Sequence, residues 1–340
     1  MAISLSDVES RNLDVVSSSL LFTLGVLVGT LFEPAYATVG VIPLIILYSR
    51  QFKIAIFLCG LFSYQSFSLC NIYLQFPQIF LGISKNFCDY IDTLPYQYTG
   101  LTKAFLQGDK SDLSVEVLQA FRNAGAAHLL ALSGLHLGII YIIFDKVVFI
   151  VDRYKYLRFI LVCGFTLVFT LMTGAGPSIV RAFLFITINE IARLAGTKTR
   201  LYEVLCLALL IQLFINPLSI YSVGFQLSYS AVAGITILYP WLRNCYQDGS
   251  RILKKVWNAM SLAISCQMFT TPISYICFGT FPRYFLLANL LGIPLTIIFM
   301  VCSIVVIGLS AISLCPAFLY SITDLFGTLL MFVLEVISKL

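Results

Sequence analysis

Apolar runs of bilayer-crossing length recur along nearly the whole chain and limit what it can fold into. A bilayer core of roughly 30 Å takes about 20 apolar residues per spanning helix. Backbone polar groups in lipid need internal hydrogen bonds, which favours helices. The sequence therefore predicts an all-α, polytopic membrane protein with about ten or eleven transmembrane segments. The predicted segments are Ser17 to Phe32, Ala35 to Ser49, Phe52 to Leu69, Ala127 to Ile150, Leu157 to Thr173, Pro177 to Leu194, Leu201 to Ile215, Tyr221 to Trp241, Val256 to Phe278, Tyr284 to Leu309 and Pro316 to Ile337.

Composition agrees with this fold class. Hydrophobic residues make up 59% of the 340 residues and charged residues 11%, and the mean hydropathy is +0.95. These values exclude an ordinary soluble domain.

The distribution of charge predicts the orientation. The first residues, "MAISLSDVESRNLDVV", lack the basic start of a secretory signal, so we expect the first helix to be retained. Lys and Arg cluster at every second loop, for example at Arg50 and Lys53. Because cytoplasmic loops are enriched in these residues, we expect a cytoplasmic N-terminus, with residues 71–126 on the outer face.

The outer segment has apolar residues at helical spacing in Pro77 to Asp92, in Leu94 to Gln107 and in "SDLSVEVLQAFRNAG", where Ser111 or Ser114 caps the helix. We expect two or three amphipathic helices that lie on the membrane surface. Acidic residues offset its basic ones, which excludes a basic nucleic-acid platform.

The ten cysteines are scattered, and none forms a CxxC motif or a Cys/His cluster with zinc spacing. We therefore predict no disulfide framework, no metal and no cofactor.

Both histidines of the chain fall in one apolar run, "HLLALSGLHLGII". As a continuous helix, this run places His128, Ser133 and His136 on one arc, with Ser133 and His136 closest together. The opposite face is a small-residue seam for close helix packing, formed by Ala127, Ala131, Gly134 and Gly138.

Three roles of the polar arc are open from the residues alone. Hydrogen bonding between helices is the simplest. Ionisable residues inside a membrane are also candidates for function. A hydrolase centred on Ser133 is disfavoured, because the sequence has no G-x-S-x-G elbow and no acidic residue near His136.

Three later helices also have polar faces, which contain Gln226, Gln267 with Thr271, and Asn289. Breaks at Pro272 and at Gly292 to Pro294 are expected beside them. Polar faces at broken helices indicate either a hydrated transport route or hydrogen bonds that hold helices together. Arg181, near the start of its helix, either reaches the outer headgroups or meets an anion at the mouth of such a route.

Four stretches resemble the membrane domain of the ComEC competence proteins in order and approximate spacing. They are "FLQGDKSDLSVEVLQAFRNAGAAHLLALSGLHLGII", "TGAGPSIVRAF", "NPLSIYSVGFQLSYSAVAGI" and "TTPISYICFGTFPRYFLLANLLGIPL". The resemblance carries over a set of motif residues. They are Arg122, His128, Ser133, Gly134, His136, Pro177, Arg181, Gly224, Phe225, Gln226, Gln267, Pro272, Asn289 and Pro294.

The resemblance implies a bacterial inner-membrane channel or permease, with no enzymatic activity, that passes single-stranded DNA into the cytoplasm during natural transformation. The family's OB-like and metallo-β-lactamase-like domains are not evident, so the resemblance implies a minimal membrane core. Three forms of it are open: a divergent paralogue, a truncated chain, or a split system with separate nuclease, OB-domain and motor subunits. We divide the chain into N-terminal transmembrane helices (1–70), an extracytoplasmic helical segment (71–126) and a ComEC-like core (127–340). A small-solute transporter built on the same core is the alternative.

Overall fold

The computed structural model describes residues 5–29, 56, 59–60, 78–149, 153–246, 250–279 and 284–339. Every regular element in these ranges is helical, which confirms the all-α prediction. The predicted segments Ala35 to Ser49 and Phe52 to Leu69 lie outside the described residues, apart from Ile56, Cys59 and Gly60.

The described α-helices are numbered here in chain order. They are α1 (Leu5–Gly29), α2 (Gln78–Asp92), α3 (Thr99–Gln107), α4 (Val115–Asn123), α5 (Ala127–Leu130), α6 (Gly134–Val148), α7 (Lys155–Met172), α8 (Pro177–Leu194), α9 (Leu201–Ile215), α10 (Val223–Ile237), α11 (Tyr239–Asn244), α12 (Arg251–Phe278), α13 (Phe285–Leu287), α14 (Ile293–Ala311) and α15 (Ala317–Ser338). A 3-10 helix (Pro217–Tyr221) precedes α10, and a π-helical turn (Ala288–Gly292) joins α13 to α14.

Three of the described helical stretches are long and apolar enough to cross a membrane. They are Lys155–Met172, Phe285–Ala311 and Ala317–Ser338. Each coincides with a predicted segment. Large apolar side chains on them, such as Ile160 and Phe332, are exposed, as expected of surfaces that contact lipid. The chain is thus an all-α helical membrane protein.

The chain divides into two compact units. The first unit contains residues 1–75 and 184–233, and the second contains residues 76–183 and 234–340. The division expected at residues 71 and 127 stays a prediction.

In the first unit, α1 packs against α9. Phe22 and Val26 of α1 are buried together with Leu213, Phe225 and Tyr229. The Tyr229 hydroxyl donates a buried hydrogen bond of 2.9 Å to Gln212 Oε1. This bond satisfies both polar groups inside an apolar core.

In the second unit, the segment that precedes α5 is enclosed rather than laid on a surface. Helix α3 packs against α2, α5 and α14, and every residue from Leu101 to Gln107 is buried. The expectation of amphipathic surface helices is therefore wrong for α3, because other helices cover it on more than one face. Helix α4 begins after Ser114, whose hydroxyl accepts from the Val117 N–H, so Ser114 is the cap.

Two expected helix breaks are also corrected. Helix α12 continues through Pro272, and in the turn before it the Thr270 and Thr271 hydroxyls donate to the carbonyls of Cys266 and Gln267. Threonine hydroxyls and neighbouring helices allow proline inside membrane helices. Near Pro294 the backbone widens into the π-helical turn and then continues as α14.

Candidate functional site

The run that contains both histidines is two helices with a joint between them. Helix α5 ends at Leu130, Ala131 and Ser133 have extended backbone conformations, and α6 begins at Gly134. The predicted single helix from Ala127 to Ile150 is therefore wrong, and so is the angular arc derived from it. The predicted proximity of Ser133 and His136 is confirmed, but it arises from the cap of a new helix.

Ser133 and His136 form a reciprocal capping box at the start of α6. The Ser133 N–H donates to His136 Nδ1 at 3.1 Å, and the Ser133 hydroxyl oxygen accepts from the Leu135 N–H at 3.3 Å. Ser133 Oγ also lies 3.1 Å from His136 Nδ1. Because Nδ1 accepts a hydrogen bond from the backbone, the neutral imidazole carries its proton on Nε2.

The His136 ring lies inside an aromatic cluster of the second unit. It is 1% exposed, and it stacks on Phe105 of α3 with 5.6 Å between ring centroids. Phe105 is itself fully buried, with edge contacts to Phe121 and Phe299. The His136 Nε2 atom is buried and makes no hydrogen bond of ordinary length in the described ranges, although the Leu129 backbone interacts with the ring. A buried donor without a partner is costly, so it marks a candidate for function.

The same geometry argues against a hydrolase centred on Ser133. A serine nucleophile needs a base that is free to take its proton and a third group that orients the base. Here Nδ1 already accepts the Ser133 N–H, and the Ser133 hydroxyl serves the Leu135 N–H. These contacts assign Ser133 and His136 to capping.

The other histidine, His128, is exposed on α5 and lies beside Asn289 of the π-helical turn. The Asn289 Oδ1 atom is buried and has no hydrogen-bond partner among the residues that the structure describes. Leu129 approaches the same turn, because a Cβ placed on Gly292 would lie 3.3 Å from Leu129 Cδ1. Single π-helical turns inside α-helices are frequent at functional sites.

Arg181 of α8 lies at the start of α6. A Cβ on Gly134 would lie 3.1 Å from an Arg181 guanidinium nitrogen and 3.3 Å from Ala182 Cβ. A Cβ on Gly138 would meet nothing within 4 Å. The predicted small-residue seam thus has its close helix contact at Gly134. Arg181 also acts electrostatically on Cys266 of α12, so it is near both helices.

The remaining predicted residues make local contacts. Gln267 Nε2 donates to Thr271 Oγ1 at 3.1 Å within α12. Gln226, in the first unit, donates to the Ile220 carbonyl at 2.9 Å and so closes the turn before α10. Arg122 is exposed in the last turn of α4. The structure therefore gathers His128, Ser133, Gly134, His136, Arg181 and Asn289 around the α5–α6 joint, whereas the contacts described for Gln226, Gln267 and Thr271 are local.

The sequence analysis missed Lys103, two residues before Phe105. Its side chain is 5% exposed and forms salt bridges with Asp92, at 2.7 Å, and with Asp112. Burial alone would lower the pKa of the Lys103 ammonium, but its hydrogen bonds to Asp112 and Asp92 and their charges raise that pKa above its usual value. The only sequence indication was that "KSDLS" and "CDYID" supply acidic residues near α3.

Comparison with known proteins relates this site to one family. The family described as "Competence protein" matches residues 105–340. The match begins at Phe105, the residue that stacks on His136, and includes α4, the joint, Arg181 and the π-helical turn. No solved structure matches the chain.

Three curated relatives cover a similar part of the chain. ComE operon protein 3 of Bacillus subtilis is 31% identical over 206 residues, which are 60% of this chain and 26% of the relative. Recombination protein 2 of Haemophilus influenzae is 26% identical over 211 residues, 58% of this chain and 26% of the relative. The uncharacterized protein YcaI of Escherichia coli is 24% identical over 208 residues, 59% of this chain and 28% of the relative.

The chain thus spans about a quarter of the length of these relatives. The family match nevertheless covers well over half of the chain and contains every residue gathered at the joint. On that match, the chain belongs to the Competence protein family.

Proposed function

We propose that the chain is an inner-membrane channel or permease that passes single-stranded DNA into the cytoplasm during natural transformation. The observation that carries this proposal is the family match from residue 105 to residue 340. The names of two relatives, a ComE operon protein and a recombination protein, agree with a role in DNA uptake. The chain has no enzymatic activity of its own in this proposal.

The basic residues near the site support a substrate that carries negative charge. A single strand needs its phosphates compensated. Arg181 lies next to the joint, and exposed Arg122 lies in the last turn of α4. We assign these two residues to phosphate compensation along the route, and exposed His128 with Asn289 to its polar wall.

Further parts of the proposal concern partners and orientation. Separate nuclease, OB-domain and motor subunits supply strand degradation, capture and direction, and the lipid bilayer surrounds the helices. The N-terminus is cytoplasmic and residues 78–123 face outward. Reporter fusions that are active on only one side of the membrane test the orientation, when placed at the N-terminus and between the exposed residues Lys110 and Ser111.

DNA uptake in a deletion strain tests the function. We expect uptake of labelled DNA to be lost in the deletion strain and restored by the wild-type gene but not by His136→Ala. The matched control is Ile142→Ala on the same helix, because Ile142 is 55% exposed and lies six residues after His136. Membrane levels of each variant are measured by an epitope tag. Normal uptake in the deletion strain would overturn the proposal.

Two further measurements separate the alternatives. Flux of a small solute into liposomes that contain only this chain, independent of DNA, indicates a solute transporter on the same core. Covalent labelling by a serine-reactive probe, lost in Ser133→Ala, indicates a hydrolase. We expect neither result, since Ser133 is occupied as a helix cap.

A further inference from the structure

The capping box at the start of α6 has a titratable group where such boxes usually have a fixed acceptor. The usual pattern places Ser or Thr at the cap and Glu or Gln three residues later, whose side chain accepts from the cap N–H. Here Ser133 is followed by His136, and Nδ1 of the imidazole is that acceptor. An imidazole accepts at Nδ1 only in its neutral form, because both nitrogens of the cation are donors.

Protonation therefore opposes the cap directly. A proton added at Nδ1 would face the Ser133 N–H at the position where the hydrogen bond of 3.1 Å now lies. The new cation would also lie in a site that is 1% exposed, against the face of Phe105. The Ser133 N–H loses its acceptor whether the ring withdraws from the cap or the new Nδ1–H donates to Ser133 Oγ, which lies 3.1 Å away.

Neighbouring elements present few charged groups to the ring. From α5 the ring interacts with the charge of His128 and with the Leu129 backbone. On α3 the nearest charge is Lys103, which is held by Asp92 and Asp112. On α8, Arg181 lies against Gly134, which is two residues before His136 on α6. The carboxylates that form ion pairs with α3 are thus those already held by Lys103, and His128, which lies against Asn289 and the Gly125 backbone, is the other titratable group near the ring.

We propose that the Ser133–His136 capping box is a pH-dependent switch that controls the joint between α5 and α6. At neutral pH the imidazole accepts the Ser133 N–H and fixes the first turn of α6. When a proton from water binds Nδ1, the Ser133 N–H loses its acceptor and the first turn of α6 opens. The opening displaces Gly134 from Arg181, so one proton changes the contact between α6 and α8. This device is independent of what the protein transports.

The sequence permits an unusually clear test because the chain contains only two histidines. The full chain is labelled with 15N-histidine, placed in lipid nanodiscs and titrated from pH 7.5 to pH 3 by NMR, with His128→Gln used to assign the signals. The wild-type His136 ring is expected in the Nε2–H tautomer at pH 7.5. Hydrogen exchange of peptides that cover residues 127–140 is measured over the same range and corrected for the intrinsic pH dependence of exchange.

His136→Gln is the matched variant, because glutamine retains the acceptor of a standard capping box and cannot titrate. In the wild type and in His128→Gln, protection at residues 133–137 is expected to fall about fivefold to tenfold as His136 titrates, the size expected for the loss of a helix cap. In His136→Gln it is expected to stay constant.

Two results would overturn the proposal. The first is wild-type protection that stays constant to the lowest pH, whether or not the His136 ring becomes charged, and it needs no variant to observe. The second is the same loss of protection at the lowest pH in His136→Gln. Either result leaves the uptake assay unaffected, so the failure of this inference is distinct from the failure of the proposed function.

Discussion

Two regions of the second unit each bury a polar side chain near the same aromatic ring, but they differ in the partners that they provide for that side chain. Around Lys103, the ammonium is sealed by two carboxylates, Asp92 and Asp112. At the α5–α6 joint, the His136 ring uses one nitrogen in the capping box and leaves the other buried without a hydrogen bond in the described structure. Phe105 lies between them, two residues after Lys103 and stacked on His136.

The difference separates a structural site from a functional candidate. A buried charge with matched partners fixes the arrangement of the elements that supply them, here the end of α2, α3 and the loop before α4. A buried donor without a hydrogen bond lowers the stability of the fold. Its presence in the protein is therefore better explained by function than by stability. The lysine cluster is therefore expected to respond to mutation through unfolding, and the joint through local opening.

The largest effect is expected from Phe105→Ala, because this ring supports both regions. Phe105 is 0% exposed and makes three aromatic contacts. Its truncation should lower the free energy of unfolding by about 3–5 kcal/mol, measured by denaturant titration in detergent. Phe332→Ala is the control, since Phe332 is 62% exposed on α15. Equal stability of the two variants would mean that Phe105 does not join the regions.

The lysine cluster should show an asymmetry between its partners. Asp92→Asn with Asp112→Asn leaves the ammonium covered but uncompensated, and should cost about 2 kcal/mol of unfolding free energy, less than for a deep ion pair because the carboxylates are half-exposed. Lys103→Met removes the charge and keeps the packing, so it should cost less than about 1 kcal/mol. A larger loss in Lys103→Met than in the double variant would contradict this account.

Alkaline pH should also distinguish the lysine cluster from the joint. The folded-state pKa of Lys103 is raised, so its contribution is fully present below the unfolded pKa of about 10.4 and is lost as pH rises through the folded value. Between pH 9 and pH 11 the wild type should lose about 1 kcal/mol more stability than Lys103→Met.

A second titratable group near the lysine cluster also contributes to the loss of stability at alkaline pH. Burial raises the pKa of the Tyr96 hydroxyl to about 12, so ionisation above pH 10 also favours the unfolded chain. Both stability curves are therefore measured in a Tyr96→Phe background. Curves of equal slope in that background would show that Lys103 has no raised pKa.

A smaller effect is expected at the joint from Ser133→Ala, which removes the acceptor for the Leu135 N–H. The cost should be about 1 kcal/mol, seen as faster hydrogen exchange at residues 133–137 with little change near Lys103. Ser133→Thr keeps a hydroxyl and serves as the control. If exchange near Lys103 rises equally, the two regions form one cooperative unit and the comparison fails.

Much of the fold follows from the sequence because lipid enforces helices wherever apolar runs are long enough. The predicted segments from Pro177 and from Leu201 match α8 and α9 as the structure has them. Ser114 was one of the two caps expected for α4. These features depend on neighbours in the sequence, so local patterns are sufficient to predict them.

The joint and the lysine cluster depend on contacts that sequence patterns do not contain. "ALSGLH" has no proline, and its Ser and Gly fit a packed helix as well as a cap, so the break after Leu130 was missed. A histidine three residues after a serine is not the usual capping pattern. The burial of Lys103 requires α2 and the loop before α4 to fold back onto α3, which the helical period of α3 does not specify.

The smallest effects, and the sharpest test of the joint, come from two glycines on α6. A Cβ at Gly134 would press on Arg181 and Ala182 at 3.1 and 3.3 Å, whereas a Cβ at Gly138 would meet nothing within 4 Å. Gly138→Ala should therefore stabilise the protein by about 0.5–1 kcal/mol through helix propensity alone. Gly134→Ala should lose that gain and destabilise by about 0.5 kcal/mol, because α8 must shift. Unfolding in detergent compares the two, and equal gains would mean that α8 does not hold the start of α6 closely enough for a capping switch to move it.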